Sequence, residues 1–98
     1  MIDKTEGMDS RTIVYIESER VYSIFYMDNG EKVYVRKPLN DLERILESEG
    51  IIRIHRSYMV NVQWITKMEK ENVNVEWCVN GEKTEKRIIP IAQRRRKM

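Results

Sequence analysis

Short apolar runs and strand-like segments dominate the first third of the chain. Residues 13–16 (Ile-Val-Tyr-Ile) form an apolar run that is typical of a buried strand. Residues 21–27 and 32–36 are also strand-like, and Asn29–Gly30 between them favours a hairpin because both residues tolerate positive φ. We therefore predict three strands before residue 37.

One helix is predicted after these strands. Pro38 ends the third strand, and Gly50 is suited to the left-handed backbone that closes a helix. Between them, four apolar residues recur at helical spacing: Leu39, Leu42, Ile45 and Leu46. The pattern predicts a short helix over residues 39–49.

The second half of the chain returns to strand patterns. Residues 51–54 and 64–69 are strand-like, and residues 73–79 alternate between apolar and polar side chains. A second Asn-Gly pair at positions 80 and 81 predicts a hairpin that leads into a last strand over residues 86–91. Pro90 places that strand at a sheet edge, or ends it there.

The composition supports a mainly β chain. Ile and Val together number 21, against three Leu and one Ala. β-Branched side chains are restricted in helices and pack well on a pleated surface, whereas Ala and Leu favour helices.

The length of 98 residues fits a single domain. Residues 1–12 are polar and are predicted to be a linker or a frayed N-terminus, as in a domain cut from a longer chain, which leaves 13–98 as the domain. No apolar run approaches the roughly 20 residues of a membrane helix, and no signal peptide is recognisable. We therefore expect a soluble, cytoplasmic protein.

Metal, cofactor and enzyme functions find little support in the sequence. With one Cys and one His, the chain can form neither an internal disulfide nor a structural zinc site from these residue types. Catalytic motifs are not recognisable, and the carboxylates on the predicted helix are better explained as a solvated face. We expect neither an enzyme nor a bound cofactor.

Positive charge is concentrated at the C-terminal end. Residues 82–98 carry seven basic and two acidic side chains, whereas residues 1–50 carry seven basic and eleven acidic ones. Such asymmetry indicates an anionic partner. By itself it does not distinguish nucleic acid from a membrane surface or a solvated tail.

A second basic cluster comprises Arg53, His55 and Arg56. On a regular strand, Arg53 and His55 would share the face opposite to the neighbouring isoleucines, and Arg56 would lie at the tip of the following turn. There its guanidinium could bind guanine or a phosphate, and the Ser57 hydroxyl could bind a phosphate. In the alternative interpretation, both arginines pair with helix carboxylates and His55 is structural; the cluster alone does not decide.

The segment over residues 51–61 resembles the signature of the LytTR family of bacterial DNA-binding domains. That signature is approximately apolar, apolar, Arg, any, His, Arg, Ser, Tyr, apolar, Val, Asn. Residues 13–18 resemble the family's early "YIE" strand, residues 36–46 its helix entry, and residues 80–92 its closing hairpin. The resemblance extends over about residues 13–97.

This resemblance implies small stacked antiparallel sheets with one short helix. It also implies sequence-specific binding of double-stranded DNA by loops inserted in successive major grooves. The family supplies output domains of bacterial response regulators in two-component transcription regulation. Members usually follow a receiver domain in the same parent chain and bind direct repeats, so the isolated domain is expected to self-associate weakly or not at all.

The resemblance also assigns residues to three DNA-contacting loops. Residues expected to read bases are Arg20, Tyr22, Arg56, Gln93 and Arg94. Residues expected to bind phosphates are Arg53, His55, Ser57, Arg95, Arg96 and Lys97. The family usually has Ser-Arg where this chain has Ala92–Gln93. Because Gln reads adenine where Arg reads guanine, the preferred base is expected to differ, or Arg94 takes over.

The rival hypothesis is a protein-interaction module. A small β domain can dock a partner through an exposed edge strand, and the acidic helix could face such a partner. Salt dependence distinguishes the two, because DNA binding weakens steeply with salt and apolar docking does not.

Overall fold

The computed structural model describes residues 9–79 and 81–92, and its secondary structure is mainly β. The first sheet contains five strands: β1 (Ile13–Glu19), β2 (Tyr22–Met27), β3 (Lys32–Val35), β4 (Ile51–His55) and β5 (Tyr58–Asn61). The second contains three: β6 (Ile65–Met68), β7 (Asn72–Val79) and β8 (Lys83–Pro90). One α-helix, α1 (Leu39–Glu47), connects β3 to β4, and short 3₁₀ turns span Ser10–Thr12 and Val62–Trp64.

Both sheets are antiparallel. The strand order is β3-β2-β1-β5-β4 in the five-stranded sheet and β6-β7-β8 in the three-stranded sheet. The prediction of a mainly β fold with small stacked antiparallel sheets and one helix near residues 39–49 is therefore confirmed. The last strand ends at Pro90 and lies at a sheet edge, where the missing N–H of proline is tolerated.

The five-stranded sheet is the central layer, with α1 on one face and the three-stranded sheet on the other. A helix-side core includes Leu42, Phe25 and Met59, all fully buried. An inter-sheet core includes Val60, Val75 and Ile89, also fully buried. The sheet is therefore apolar on both faces, because each face packs against another layer.

A β-bulge in β1 allows this strand to serve both cores. The register with β2 shifts between Ile13 and Tyr15. Ile13 and Ile16 pack in the helix-side core, whereas Val14 and Tyr15 pack in the inter-sheet core. The extra residue of a bulge breaks strict alternation, which explains why four consecutive residues are buried.

The helix has one apolar stripe and is closed by glycine. Leu39, Leu42 and Leu46 are buried, whereas Ile45 is 53% exposed although it fits the helical spacing. Gly50 has φ +82°, as expected from a residue that ends a helix in the left-handed region. No helix among the residues described above is long and apolar enough to cross a membrane.

Residues 9–12, within the predicted N-terminal linker, pack against the domain. The Asn61 side chain donates hydrogen bonds to the carbonyls of Ser10 and Ile13 at 3.1 and 2.8 Å. The Gln63 amide donates to the Arg11 carbonyl at 2.7 Å. The chain therefore enters β1 in a fixed direction; the domain boundary at residue 13 stays a prediction.

Candidate nucleic-acid interface

The turn between β4 and β5 is held by the side chain of Arg53. Its guanidinium donates to the carbonyls of His55 (3.1 Å) and Arg56 (2.6 Å). It also donates to Asn40 Oδ1 (2.8 Å) and Glu43 Oε1 (3.1 Å) on α1. The side chain is only 9% exposed. Arg53 thus ties the turn to the helix and is turned away from solvent.

Arg53 and His55 do not share a face, contrary to the expectation from alternation. The register between β4 and β5 shifts between these two residues. Arg53 lies opposite Met59 of the helix-side core, whereas His55 lies opposite Tyr58, with ring centroids 5.6 Å apart. Tyr58 packs against the inter-sheet core. The physical reason is again a bulge, which places consecutive residues on one side of the strand.

The same turn presents Arg56 to solvent. His55 Nδ1 accepts a hydrogen bond from the Ser57 backbone N–H at 3.1 Å, which closes the turn. Arg56 is exposed, and its guanidinium makes no hydrogen bond or ion pair within residues 9–79 and 81–92. The alternative interpretation, pairing with a helix carboxylate, therefore holds for Arg53 and not for Arg56.

The turn between β1 and β2 lies beside the β4–β5 turn. The backbone N–H of Ser18 donates to the Ser57 carbonyl at 2.8 Å. Arg20 follows at φ +57°, a left-handed conformation found in tight turns, and its side chain is exposed. Tyr22 is exposed as well, with its ring edge-on to Tyr34 at 6.3 Å. The structure thus brings the first two predicted loops to one end of the molecule.

The third predicted loop begins next to this end. The backbone N–H of Ala92 donates to the Ile54 carbonyl at 2.8 Å, so β8 is followed by a segment that meets β4 one residue before His55. Gln93, Arg94, Arg95, Arg96 and Lys97 lie outside the described residues. Their predicted roles stay predictions.

A polar network that the sequence did not indicate lies behind the β4–β5 turn. Glu17 accepts hydrogen bonds from the hydroxyls of Tyr26 (3.1 Å) and Tyr58 (3.2 Å). Arg87 donates to the hydroxyls of Tyr58 (3.2 Å) and Tyr15 (3.5 Å). The network joins both sheets. All of its members except Tyr26 fall in segments that carry the family resemblance, but none of them was predicted to belong to a site.

Burial shifts the ionisation of this network. Burial raises the pKa of Tyr26 far above its usual value, and the neighbouring Tyr15 and Glu17 raise it further. Burial likewise raises the pKa of Tyr15, against the opposing effect of the Arg87 charge. Burial alone would lower the pKa of Arg87, but the tyrosine oxygens and Glu17 raise it overall. Arg87 is therefore cationic and both tyrosines are neutral at physiological pH.

In the described part of the chain, no group of three or more His, Cys, Asp or Glu side chains is arranged to hold a metal ion. The donors at this end of the molecule are the exposed guanidinium groups of Arg20 and Arg56, the exposed hydroxyl of Tyr22, and the partly exposed His55 and Ser57. These groups suit phosphate oxygens and base edges.

Comparison with known proteins identifies the family of the chain. Residues 3–97 match the model of the LytTr DNA-binding domain family, and the chain therefore belongs to that family. A solved structure described as "LytTr DNA-binding domain of putative methyl-accepting/DNA response regulator from Bacillus cereus" is similar, with a TM-score of 0.63 and 18% sequence identity. The match covers 89% of this chain and 76% of that chain, and it concerns the fold. No curated protein matches the chain.

Proposed function

We propose that this domain binds double-stranded DNA sequence-specifically, as the output domain of a bacterial transcriptional regulator of the response-regulator type. Its turns would enter successive major grooves on one face of the duplex. The observation that carries the proposal is the β4–β5 turn, which Arg53 fixes to α1 while Arg56 stays exposed at its tip. A pre-organised turn binds without first paying the entropy of ordering.

Arg56 is proposed as the principal base-reading residue. Its planar guanidinium can donate two hydrogen bonds to guanine O6 and N7, which contributes about 1–3 kcal/mol of discrimination. Arg20 and Tyr22 read a neighbouring site, since the backbone bond between Ser18 and Ser57 keeps the two turns together. Gln93 or Arg94 would read a third site.

Phosphate contacts are proposed for His55, Ser57, Arg95, Arg96 and Lys97. Because His55 Nδ1 accepts the Ser57 N–H, its Nε2 carries the proton and is the nitrogen that donates to a phosphate oxygen. The role expected for Arg53 changes: with its donors turned to the helix and the turn carbonyls, it positions the turn rather than binding a phosphate.

The proposed partners follow from the same function. Direct repeats in DNA would be bound by two domains head to tail, with a receiver domain in the parent chain controlling their pairing. The isolated domain would then self-associate weakly or not at all. A DNA target places the protein in the cytoplasm.

Fluorescence anisotropy tests the proposal. The wild type, Arg56→Ala and Arg44→Ala are titrated with a selected best duplex and with random duplex, each at two salt concentrations. Arg44 is an exposed arginine on α1 and serves as a charge-matched control. We expect the wild type to prefer the selected duplex more than tenfold, Arg56→Ala to lose most of this preference, and Arg44→Ala to keep it.

Two results would contradict the proposal. If Arg56→Ala and Arg44→Ala reduced the preference equally, Arg56 would not read bases. If neither duplex bound at low salt, or if binding did not weaken with salt, the domain would fit better the rival function of docking a protein partner through an edge strand.

A further inference from the structure

The hydroxyl of Tyr58 links a carboxylate on the five-stranded sheet to a guanidinium on the three-stranded sheet. It donates to Glu17 Oε2 at 3.2 Å and accepts from Arg87 Nη2 at 3.2 Å. All three side chains are partly buried. Hydrogen bonds to charged groups are stronger than those between neutral groups, and here the hydroxyl has one charged partner as donor and one as acceptor. The position of the Tyr58 side chain is therefore fixed from both sides.

Each residue of this link lies close to a segment that is predicted to contact DNA. Tyr58 directly follows the β4–β5 turn, and Glu17 lies on β1, three residues before Arg20 in the β1–β2 turn. Arg87 lies on β8, and the chain after this strand leads into the third predicted segment. One hydroxyl group therefore connects the three strands that carry these segments.

Tyr58 also contacts a side chain of the β4–β5 turn itself. The centroid of its ring lies 5.6 Å from that of His55, with an angle of 60° between the ring planes. His55 Nδ1 in turn accepts the backbone N–H of Ser57 at 3.1 Å. A displacement of the Tyr58 ring would therefore move the imidazole, and with it the backbone next to Arg56.

From this arrangement we propose that Glu17 and Arg87 are positioning residues for the reading of DNA sequence. Acting through the Tyr58 hydroxyl, they hold the β4–β5 turn in the geometry in which Arg56 can bind a base edge. This inference rests on the proposed DNA-binding function. A bidentate contact with a base requires exact placement of the guanidinium, whereas the attraction between cations and phosphates depends less on geometry. Loss of the link should therefore lower sequence preference more than general affinity for DNA.

Two matched tyrosine variants test the inference. Tyr58→Phe removes the hydroxyl that links Glu17 to Arg87. Tyr26→Phe removes the other tyrosine hydroxyl that donates to Glu17, at 3.1 Å, from a residue next to the β2–β3 hairpin. Fluorescence anisotropy with the selected and the random duplex measures the preference of each variant. We expect Tyr58→Phe to lower the preference about threefold to tenfold, and Tyr26→Phe to change it by less than about twofold.

The histidine of the turn provides a second measurement, in the protein without DNA. His55 is the only histidine of the chain, so its ring nitrogen-15 signals need no further assignment. Because Nδ1 accepts from Ser57, the neutral ring carries its proton on Nε2. In mildly alkaline solution, we expect Tyr58→Phe to shift these signals toward a mixture of the two tautomers, and Tyr26→Phe to leave them unchanged.

Arg87→Lys tests the link from its other partner and serves if Tyr58→Phe does not fold. Lysine keeps the positive charge but lacks the planar group that donates to the hydroxyls of Tyr58 and Tyr15. We expect the salt dependence of DNA binding to match that of the wild type, and the sequence preference to fall as in Tyr58→Phe. Circular dichroism shows whether each variant is folded.

Equal losses of preference in Tyr58→Phe and Tyr26→Phe would overturn the inference, because the network would then only stabilise the fold. Full preference in Arg87→Lys, or unchanged His55 signals in Tyr58→Phe, would overturn it as well. If the wild type itself showed no preference for the selected duplex, the proposed DNA-binding function would fail and this inference with it. The wild-type titration alone distinguishes that result from the others.

Discussion

Arg53 and Arg56 are three positions apart and have opposite environments. Arg53 is almost fully buried and donates to four oxygens, whereas Arg56 is exposed. A buried cation is tolerated only with such partners, because desolvation is otherwise too costly. Arg53 therefore holds the shape of the turn, whereas Arg56 places an exposed guanidinium at its tip.

Replacing Arg53 by methionine is expected to destabilise the domain by about 2 kcal/mol, since the oxygens it binds lose their donor. Arg56→Met is the matched control and should change stability by less than about 0.5 kcal/mol. Urea denaturation followed by tryptophan fluorescence measures both free energies of unfolding. Equal values for the two variants would show that Arg53 does not hold the turn.

Tyr26 gives a prediction about alkaline pH. Its pKa is raised in the folded state by burial, so between its ordinary value near 10 and the folded value the native state binds more protons than the unfolded state. The contribution of Tyr26 to the free energy of unfolding is therefore fully present below about pH 10, and it is lost as the pH rises above that value. Tyr26→Phe should make this decline shallower.

The check is urea denaturation of wild type and Tyr26→Phe between pH 8 and 11. Tyr34 is exposed on β3 and supplies a matched variant, Tyr34→Phe, in which the wild-type decline should persist. A decline of the same slope in all three proteins would exclude Tyr26 as its source.

Among the elements, the bulges in β1 and β4 have the largest effect on the site. Each adds one residue and changes which side chains share a face. In β4, the shift sends Arg53 toward α1 and leaves His55 against Tyr58. The alternation of apolar and polar residues in β4 does not predict this arrangement, because a bulge depends on the paired strand as much as on the sequence of the bulged strand.

The two hairpin glycines allow a test of backbone strain against steric contact. Both have positive φ, +92° at Gly30 and +71° at Gly81. A Cβ at Gly30 would lie 3.2 Å from Val79 Cγ1, whereas one at Gly81 would meet nothing within 4 Å. We expect Gly81→Ala to cost about 1 kcal/mol from the left-handed backbone alone.

Gly30→Ala should cost about 2 kcal/mol, because the contact with Val79 adds to a similar backbone strain. Thermal unfolding by circular dichroism compares the two variants under one set of conditions. The expectation fails if Gly30→Ala is as stable as Gly81→Ala. That result would mean that the Val79 side chain moves aside at no cost in free energy.

At the scale of the whole molecule, the three-layer arrangement brings the segment after β8 next to β4. The three-stranded sheet packs on the central sheet through the inter-sheet core. After β8, the backbone N–H of Ala92 donates a hydrogen bond to the Ile54 carbonyl of β4. Two adjacent isoleucines of β8 report on this packing. Ile89 is fully buried between the sheets, whereas Ile88 is 63% exposed.

Ile89→Ala is expected to lower the free energy of unfolding by about 2–4 kcal/mol, because it leaves a cavity between the sheets. Ile88→Ala should change it by less than about 0.5 kcal/mol. Chemical denaturation of the two variants is the measurement. Similar losses for both would mean that the outer face of the second sheet is covered in solution.

The amino-acid sequence by itself determined the family, the helix and seven of the eight strands of the described structure, but not β5. The hairpin at Asn29–Gly30, the helix ended by Gly50, and the alternating strand that became β7 all depend on local φ preferences and on periodicity, which are properties of neighbouring residues. The signature over residues 51–61 led to the LytTR resemblance, and the family match confirmed it.

Only the tertiary structure decided which basic residue faces solvent and which tyrosines join Glu17 and Arg87. These features depend on contacts between segments far apart in sequence, such as Tyr58 with Glu17 and Arg87 with Tyr15. Strand register, bulges and the packing of the layers determine such contacts. These features depend on how the apolar side chains of the whole chain are buried together, and no local pattern encodes them.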